Sequence, residues 1–254
     1  MMKIYASALA ICAACLPASA MAQEISVTGS ASVSEGNYGS ARETTMGVFA
    51  GGAIWRSGGT SIQVTVPYVV VESPGVVFAG FDGTPLVMVP DLGGPKRNWD
   101  GFGDPTLSVS QTVAAGGFDL RGTGRVKLAV QDINEVSTGE TDFSLSGEVS
   151  RNFGSLTPFV GAGYRWYGDP DLWDIKDGWS ASAGVALPIA NGSAAFSYEF
   201  AEATSDFVGD SHELVGVYDA PLTQSGLRLA AFGTVGLSSG APDYGVGVRL
   251  AKSF

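Results

Sequence analysis

The chain has 254 residues, with 25 acidic against 14 basic side chains and a formal net charge of −11. This excess of acid repels phosphate and argues against nucleic-acid binding. Only 15% of the residues are charged and 36 are glycine, whereas about a quarter of an ordinary soluble domain is charged, so the composition disfavours that class.

Residues 1–22 have the pattern of a secretory signal peptide. Lys3 is the only charged side chain there, and an apolar run follows from about Ala6 to Leu16. The run is too short for a membrane-spanning helix, which needs about twenty apolar residues. Two A-x-A cleavage patterns follow, and cleavage before Gln23 is slightly favoured. We therefore expect a signal peptide at 1–22 and one domain at 23–254.

Both cysteines lie within this segment, at Cys12 and Cys15. Removal of the signal would leave no cysteine, so we expect no disulfide bond. A lipoprotein signal at Cys15 is the alternative, although Cys12 stands where a leucine-like residue is expected three positions earlier.

After the signal, about twelve segments have the length, alternation and flanking turn residues of β-strands. The predicted strands are Ile25–Ser34, Thr44–Trp55, Ser61–Val71, Thr106–Val113, Asp119–Val130, Phe143–Phe153, Thr157–Tyr167, Trp179–Ile189, Ala194–Glu202, Glu213–Pro221, Leu227–Leu237 and Tyr244–Phe254.

The last of these strands is the most informative. Tyr244, Val246, Val248 and Leu250 alternate with small or polar residues, and the chain ends on an aromatic, Phe254. One apolar face, one polar face and a terminal aromatic are typical of the closing strand of an outer-membrane β-barrel.

The connections alternate between short turns, such as the one at 57–59, and longer, mostly acidic loops, such as the one at 168–178. Short periplasmic turns and longer external loops characterise these barrels. Aromatic residues near the strand ends predict two girdles. The outer girdle would comprise Tyr68, Phe143, Trp166, Trp179, Phe200 and Tyr244, and the inner one Trp55, Phe153 and Phe254.

The predicted fold is therefore all-β: a transmembrane, antiparallel, up-and-down β-barrel of about twelve strands. A soluble β-sandwich also has alternating strands, but the signal, the terminal Phe254 and the long strands argue against it.

The connection Glu72–Asp104 is long and rich in glycine and proline, yet it carries an apolar run that includes Val76–Phe78 and Leu86–Met88. Such apolar content is unusual for a solvated loop. Three alternatives remain: a hairpin that extends the barrel wall, a segment folded into the mouth, or a surface that binds an apolar ligand.

If the apolar positions face lipid, the alternate positions line the lumen. Asp219 is included in this set although its strand is apolar on both parities. The charged residues predicted to line the lumen are Arg121, Arg125, Lys127, Glu148, Arg165, Glu199, Asp219, Arg228 and Arg249. They predict either a charged pore or a plugged barrel, in which pairs of opposite charge cross a narrow lumen and fill it.

The sequence also contains a candidate calcium loop and a candidate catalytic histidine. Asp169, Asp171, Asp174 and Asp177 lie close together, but their spacing is not that of a calcium loop, and a solvated loop is the favoured interpretation. His212 is the single histidine, and its neighbour Ser211 would point to the opposite face of a strand. We therefore predict no metal, no cofactor and no enzyme activity, and place His212 at the outer rim.

Several short segments together resemble a family of bacterial outer-membrane β-barrel transporters assigned to the phenol meta-degradation pathway. The segments are 64–68, 101–104, 138–142, 164–165 with 168–170, 177–178 and the closing strand. The resemblance implies an outer-membrane channel, with hydrophobic or aromatic compounds among its solutes, and implies no catalytic or binding residues.

The predicted function is passive diffusion of small solutes through a charged lumen. The alternative is a structural or adhesive barrel with a plugged lumen and acidic external loops. The expected partners are outer-membrane lipids and lipopolysaccharide, a small solute, and the barrel assembly machinery, which would read Phe254 as its signal.

Overall fold

The computed structural model describes residues 23–168 and 170–254, so the predicted signal peptide lies outside the described residues. No helix in these two ranges is long and apolar enough to cross a membrane. The strands are β1 (Glu24–Gly36), β2 (Thr44–Ser57), β3 (Thr60–Ser73), β4 (Val76–Ala79), β5 (Pro85–Val89), β6 (Arg97–Phe102), β7 (Thr106–Ala115), β8 (Phe118–Lys127), β9 (Asp142–Ser150), β10 (Thr157–Trp166), β11 (Gly178–Ile189), β12 (Gly192–Ala201), β13 (Ser211–Pro221), β14 (Leu227–Gly236) and β15 (Tyr244–Ser253).

The described strands other than β4 and β5 form one closed antiparallel barrel, in which β6 and β7 together make the fourth of twelve staves. Strand β1 closes the barrel by pairing with β15 from Ser26–Ser253 to Glu35–Tyr244. The amide of Phe254 extends this ladder by donating to the carbonyl of Ile25 at 2.9 Å. The predicted fold class is confirmed.

The barrel has a short-turn end and a long-loop end. Two-residue turns join β2 to β3 and β7 to β8 at the short-turn end. Gly116 and Gly117 in the second turn both have positive φ angles, of 61° and 81°. That combination is the backbone of a type I′ hairpin turn, which favours glycine because it has no Cβ to clash.

Large apolar side chains face outward around the barrel. In β15, Val246, Val248 and Leu250 are half exposed, as the alternation predicts. Near the long-loop end, Tyr164 packs edge-on against Trp166 and Trp179, with ring centroids 5.0 Å apart in both pairs. Such an aromatic girdle places amphipathic rings at a membrane surface.

The fourth stave differs from the predicted strand Thr106–Val113 because it begins earlier and is broken. Strand β6 pairs with the long-loop half of β3, β7 pairs with the other half, and a corner at 103–105 separates them. Strand β8 ends at Lys127, three residues before the predicted end. The reason lies at the corner, where the amide of Leu128 donates to Pro105 O at 2.9 Å and that of Val130 to Asp104 Oδ1 at 3.2 Å.

The long connection folds into the mouth of the barrel. Strands β4 and β5 form a two-stranded hairpin that is separate from the wall, and a single 3-10 turn, Phe81–Gly83, makes its tip. Gly83 has a φ of 80°, and a Cβ there would lie 2.7 Å from Pro67 Cβ and 2.9 Å from Val48 Cγ1. The tip therefore needs glycine both for its backbone and for its contact with the wall.

The two faces of the inserted hairpin pack on different parts of the molecule, because alternate residues of a strand point in opposite directions. Val77, Ala79 and Val87 join a core with wall and loop residues that include Val69 and Val71. The opposite face buries Phe78, Phe81, Leu86 and Met88 with Tyr167 and Ile175. The hairpin thus bridges the wall at β2 and β3 and the loop that follows β10.

Candidate lumen site

Below the hairpin tip, the barrel encloses a cavity of about 180 Å³. The tip residues 82–85 line one side of the cavity, and strands of the barrel wall line the rest. Serine and threonine are the largest group in the wall contribution, with 12 of 29 residues, and they come from the small, polar faces of the alternating strands. The cavity therefore offers many hydrogen-bonding groups in a space that the wall shields from lipid.

The lining also carries charged side chains. Among the described residues, five arginines and three acids line the cavity, so cations outnumber acids by two. They are Arg56, Arg121, Arg125, Arg165 and Arg249, with Asp82, Glu148 and Glu199. Six of these eight belong to the set predicted to line the lumen: Arg121, Arg125, Glu148, Arg165, Glu199 and Arg249.

The pairing of the strands places three of these charges in one row with a further acid, Glu213. Arg121 of β8 is the cross-strand partner of Glu148 in β9, and the row continues through Gly161 and Ser182. It ends on Glu199 of β12 and Glu213 of β13, which are direct cross-strand partners. The small residues between Glu148 and Glu199 leave space on the inner wall.

The two partnered glutamates are buried and are satisfied by hydroxyl groups. Glu199 accepts a hydrogen bond from Ser197 at 2.7 Å. Glu213 accepts one from Ser211 at 2.8 Å and one from Thr234 at 2.7 Å. Because hydroxyl donors hold these carboxylates in place, the acidic side of the site does not depend on an ion pair.

The hairpin tip is joined to the wall by charge. Asp82 forms an ion pair with Arg125, and its backbone amide donates to Thr106 Oγ1 at 3.1 Å. The guanidinium of Arg125 also lies 4.8 Å from the ring centroid of Phe81, a cation–π distance. These contacts hold the tip on the side of the lumen formed by β7 and β8.

Three of the predicted lumen residues lie apart from the cavity lining. Asp219 is buried and pairs with Arg228, and its other oxygen lies 3.9 Å from Arg249. Lys127 is fully buried, 2.9 Å from Asp142 Oδ2 and 3.9 Å from Asp104 Oδ2. Lys127 is therefore enclosed in an ion cluster at the break of the fourth stave and does not line the cavity.

Sequence reasoning missed Arg56, Asp82 and Glu213. Arg56 lies at the end of β2, whose facing is obscured by glycine and alanine. The inward face of β13 carries Glu213, Val215, Val217 and Asp219, all buried. The outward-facing Leu214 and Tyr218 could have shown which face of this strand points inward. Nothing in the sequence places Asp82 in the lumen, because that depends on the path of a loop.

At the long-loop end, two side chains have shifted pKa values. Tyr38 is 2% exposed within the core that holds the hairpin. Burial, followed by the charges of Glu213 and Asp243, raises the pKa of its phenol far above the ordinary value, so Tyr38 stays protonated. Farther out, the side-chain hydrogen bond from Arg42 lowers the pKa of Asp91.

The histidine and the acidic loop, considered above as catalytic and calcium sites, have other contacts in the structure. Ser211 faces the lumen and donates to Glu213, whereas His212 packs outside against Tyr198 and Phe200, so the two do not form a catalytic pair. In the acidic loop, Asp169 lies outside the described residues, and Asp177 accepts a hydrogen bond from the amide of Tyr167 at 2.8 Å. Within ranges 23–168 and 170–254 no group of three metal-ligating side chains comes together.

Together, the closed barrel and its polar interior define an outer-membrane β-barrel of twelve strands. No family model matches the sequence, and no curated protein matches it. Solved structures do match. The outer membrane channel from Pseudomonas putida F1 superposes with a TM-score of 0.67 at 13% identity, covering 93% of this chain and 96% of that one.

Two other matches are weaker. The translocator domain of the autotransporter NalP from Neisseria meningitidis has a TM-score of 0.45 at 11% identity, covering 98% of this chain and 94% of that one. The CymD monoaromatic hydrocarbon channel has a TM-score of 0.45 at 7% identity, covering 93% and 89%. At 13% identity, the match to the Pseudomonas putida F1 channel shows a shared barrel fold and nothing of the solute.

Proposed function

We propose that the protein is an outer-membrane channel for the passive diffusion of small solutes through a charged lumen. The observation that carries this proposal is the cavity inside the barrel, which is lined with hydroxyl groups, five arginines and three acids from the described residues. A barrel that served only as a scaffold would be expected to close its interior with mutually satisfied charge pairs or apolar side chains.

The proposed solutes include small hydrophobic or aromatic compounds. The resemblance of the sequence motifs supports this class. The aromatic rings beside the inserted hairpin do not add to it, because Phe78, Phe81 and Tyr167 are buried in the core that holds the hairpin.

The proposed location is the outer membrane, with the short-turn end in the periplasm. The outward apolar band would contact lipid, and the acidic loops would meet lipopolysaccharide and its bridging divalent cations. Delivery would follow from the signal at 1–22. Phe254, which is 78% exposed, is proposed as the recognition signal for the barrel assembly machinery.

Planar-bilayer recording of the refolded chain tests the channel. We expect discrete conductance steps, together with swelling of liposomes in small-solute solutions. Folding is verified beforehand by the heat-dependent shift in gel mobility that barrels show. A folded barrel that yields neither conductance nor swelling would overturn the proposal.

A further inference from the structure

Arg165 differs from other arginines of the cavity. Its side chain is 9% exposed and lines the cavity, yet it makes no salt bridge with a carboxylate in the described part of the chain. By contrast, Arg125 pairs with Asp82 and Arg56 with Glu24. A buried cation without a counter-ion is costly, because burial removes the hydration of its charge.

A second cation faces the same space. Arg125 and Arg165 are cross-strand partners of the same residue, Ser144, from opposite sides. Their Cα atoms are therefore two strand spacings apart, about 10 Å, and their charges act on each other. Asp82 already pairs with Arg125, so Arg165 is the one of these two cations that has no carboxylate in contact among the described residues.

The two acids that act on Arg165 have other partners. Glu199 and Glu213 act on Arg165 through space, but their oxygens accept hydrogen bonds from Ser197, Ser211 and Thr234. They belong to β12 and β13, whereas Arg165 belongs to β10. The guanidinium of Arg165 is therefore left to bind a solute.

The remaining lining favours a small, partly apolar solute. Ile54 and Phe232 line the cavity and are buried, so they offer apolar contact beside the hydroxyl groups. The cavity volume is about 180 Å³. It is smaller than the roughly 300 Å³ at which sites for drug-sized ligands begin.

From these features we infer that the cavity is a binding site for a small organic monocarboxylate. The guanidinium of Arg165 donates to both carboxylate oxygens, the bidentate geometry that arginine favours. Arg125, which lines the same cavity, stays paired with Asp82, and the body of the solute lies toward Ile54 and Phe232. The inference rests on the proposed function, since the solute must reach the cavity through the lumen.

Benzoate and benzamide provide the test, because they have nearly the same shape and differ in charge. Each is titrated calorimetrically into the detergent-refolded chain from residue 23, and each is added during bilayer recording. We expect benzoate to bind and to reduce the current, and benzamide to bind at least tenfold more weakly. Arg165→Gln should lower benzoate affinity at least tenfold and leave benzamide unchanged.

Two variants sharpen the experiment. Arg151→Gln is the matched control, since Arg151 is exposed and stacks on Phe118 and Phe153 away from the cavity; its benzoate affinity should equal that of the native chain. If Arg165→Gln does not fold, Arg165→Lys keeps the charge but loses the planar fork, and it should weaken binding severalfold.

Equal binding of benzoate and benzamide would overturn the inference, as would an unchanged benzoate affinity in both Arg165 variants. Calorimetry in detergent measures binding without requiring conductance, so it tests this inference separately from the channel proposal. Conductance without Arg165-dependent binding overturns this inference alone, whereas Arg165-dependent binding without conductance overturns the channel alone.

Discussion

Lys127 Nζ lies 2.9 Å from Asp142 Oδ2, and both side chains are fully buried at the long-loop end of the barrel wall. Thr138 accepts a further hydrogen bond from Lys127 at 3.0 Å, and Asp104 lies 3.9 Å away. The cluster therefore joins the broken fourth stave to β8, β9 and the loop between them. Three of these residues belong to the motifs that resemble the transporter family: Asp104, Thr138 and Asp142.

Lys127→Met should destabilise the folded barrel strongly. It removes the cation while leaving Asp104 and Asp142 buried, and breaking a buried ion pair in this way typically costs about 3–5 kcal/mol. Unfolding by guanidinium in detergent micelles measures the change. Lys176→Met is the control, because Lys176 forms an exposed ion pair with Asp206, and we expect little change from it. Equal losses in the two variants would refute a special role for the cluster.

A site residue could be predicted where its position follows from the strand itself, and could not where its position depends on distant contacts. Alternation along β8 was enough to predict that Arg121, Arg125 and Lys127 point inward, because the period of two is a property of the strand itself. The same pattern cannot tell Arg125, which lines the cavity, from Lys127, which is enclosed. That difference arises from the corner at 103–105 and the loop 128–141, whose paths depend on distant contacts.

The sequence contains one indirect indication of the inserted hairpin. Val69 and Val71 are apolar although they occupy the inward parity of β3, and both are buried against the hairpin. An apolar inner face near the long-loop end indicates that something apolar packs inside the barrel. The partner itself could not be identified, because the pairing of Asp82 with Arg125 joins residues that no local pattern connects.

The Asp91–Arg42 ion pair should make one loop sensitive to acid. Arg42 Nε donates to Asp91 at 2.8 Å, and this contact lowers the pKa of Asp91 below its ordinary value of 3.8. Because the folded-state pKa is depressed, the stabilisation is present above pH 3.8 and is lost as the pH falls through the lowered pKa. Hydrogen exchange of residues 91–94, corrected for its intrinsic pH dependence, should stay constant from pH 7 to about pH 4 and rise below that range.

Asp91→Asn should abolish this transition and give fast exchange at every pH. Asp206→Asn, which changes an exposed acid in another loop, should leave the transition in place. A transition of the same size in the Asp91 variant would assign the acid sensitivity to a different group.

Deletion of Phe254 should impair assembly more than stability. The side chain is 78% exposed, so it contributes little packing to the folded barrel. We expect a severalfold smaller amount of folded protein in the outer membrane of expressing cells and an unchanged yield on refolding into micelles. Phe153→Ala provides the comparison, because Phe153 is also exposed at the short-turn end but is internal to the chain. Equal assembly of the two variants would exclude Phe254 as a signal.

The inserted hairpin should remain seated while solutes pass. It buries seven apolar side chains: Val77, Phe78, Ala79, Phe81, Leu86, Val87 and Met88. Burial of one large apolar side chain contributes about 1.5–3 kcal/mol. Withdrawal of the whole hairpin into water would therefore cost about 10 kcal/mol and would be rare. The solute path is therefore expected to run beside the hairpin.

A reversible cross-link measures this directly. A Cβ built on Gly103 would lie 3.3 Å from Ala79 Cβ, close to the roughly 3.5–4.5 Å that a disulfide requires. The double variant Ala79→Cys/Gly103→Cys can thus tie β4 to the corner of the fourth stave, and both native cysteines lie within residues 1–22. We expect the same conductance before and after reduction, with each single cysteine variant as a control. Replacement of 76–89 by a short glycine-serine linker should raise the conductance severalfold, which shows that the recording senses the hairpin. Loss of current on oxidation and its recovery on reduction would mean that the hairpin must move for solutes to pass.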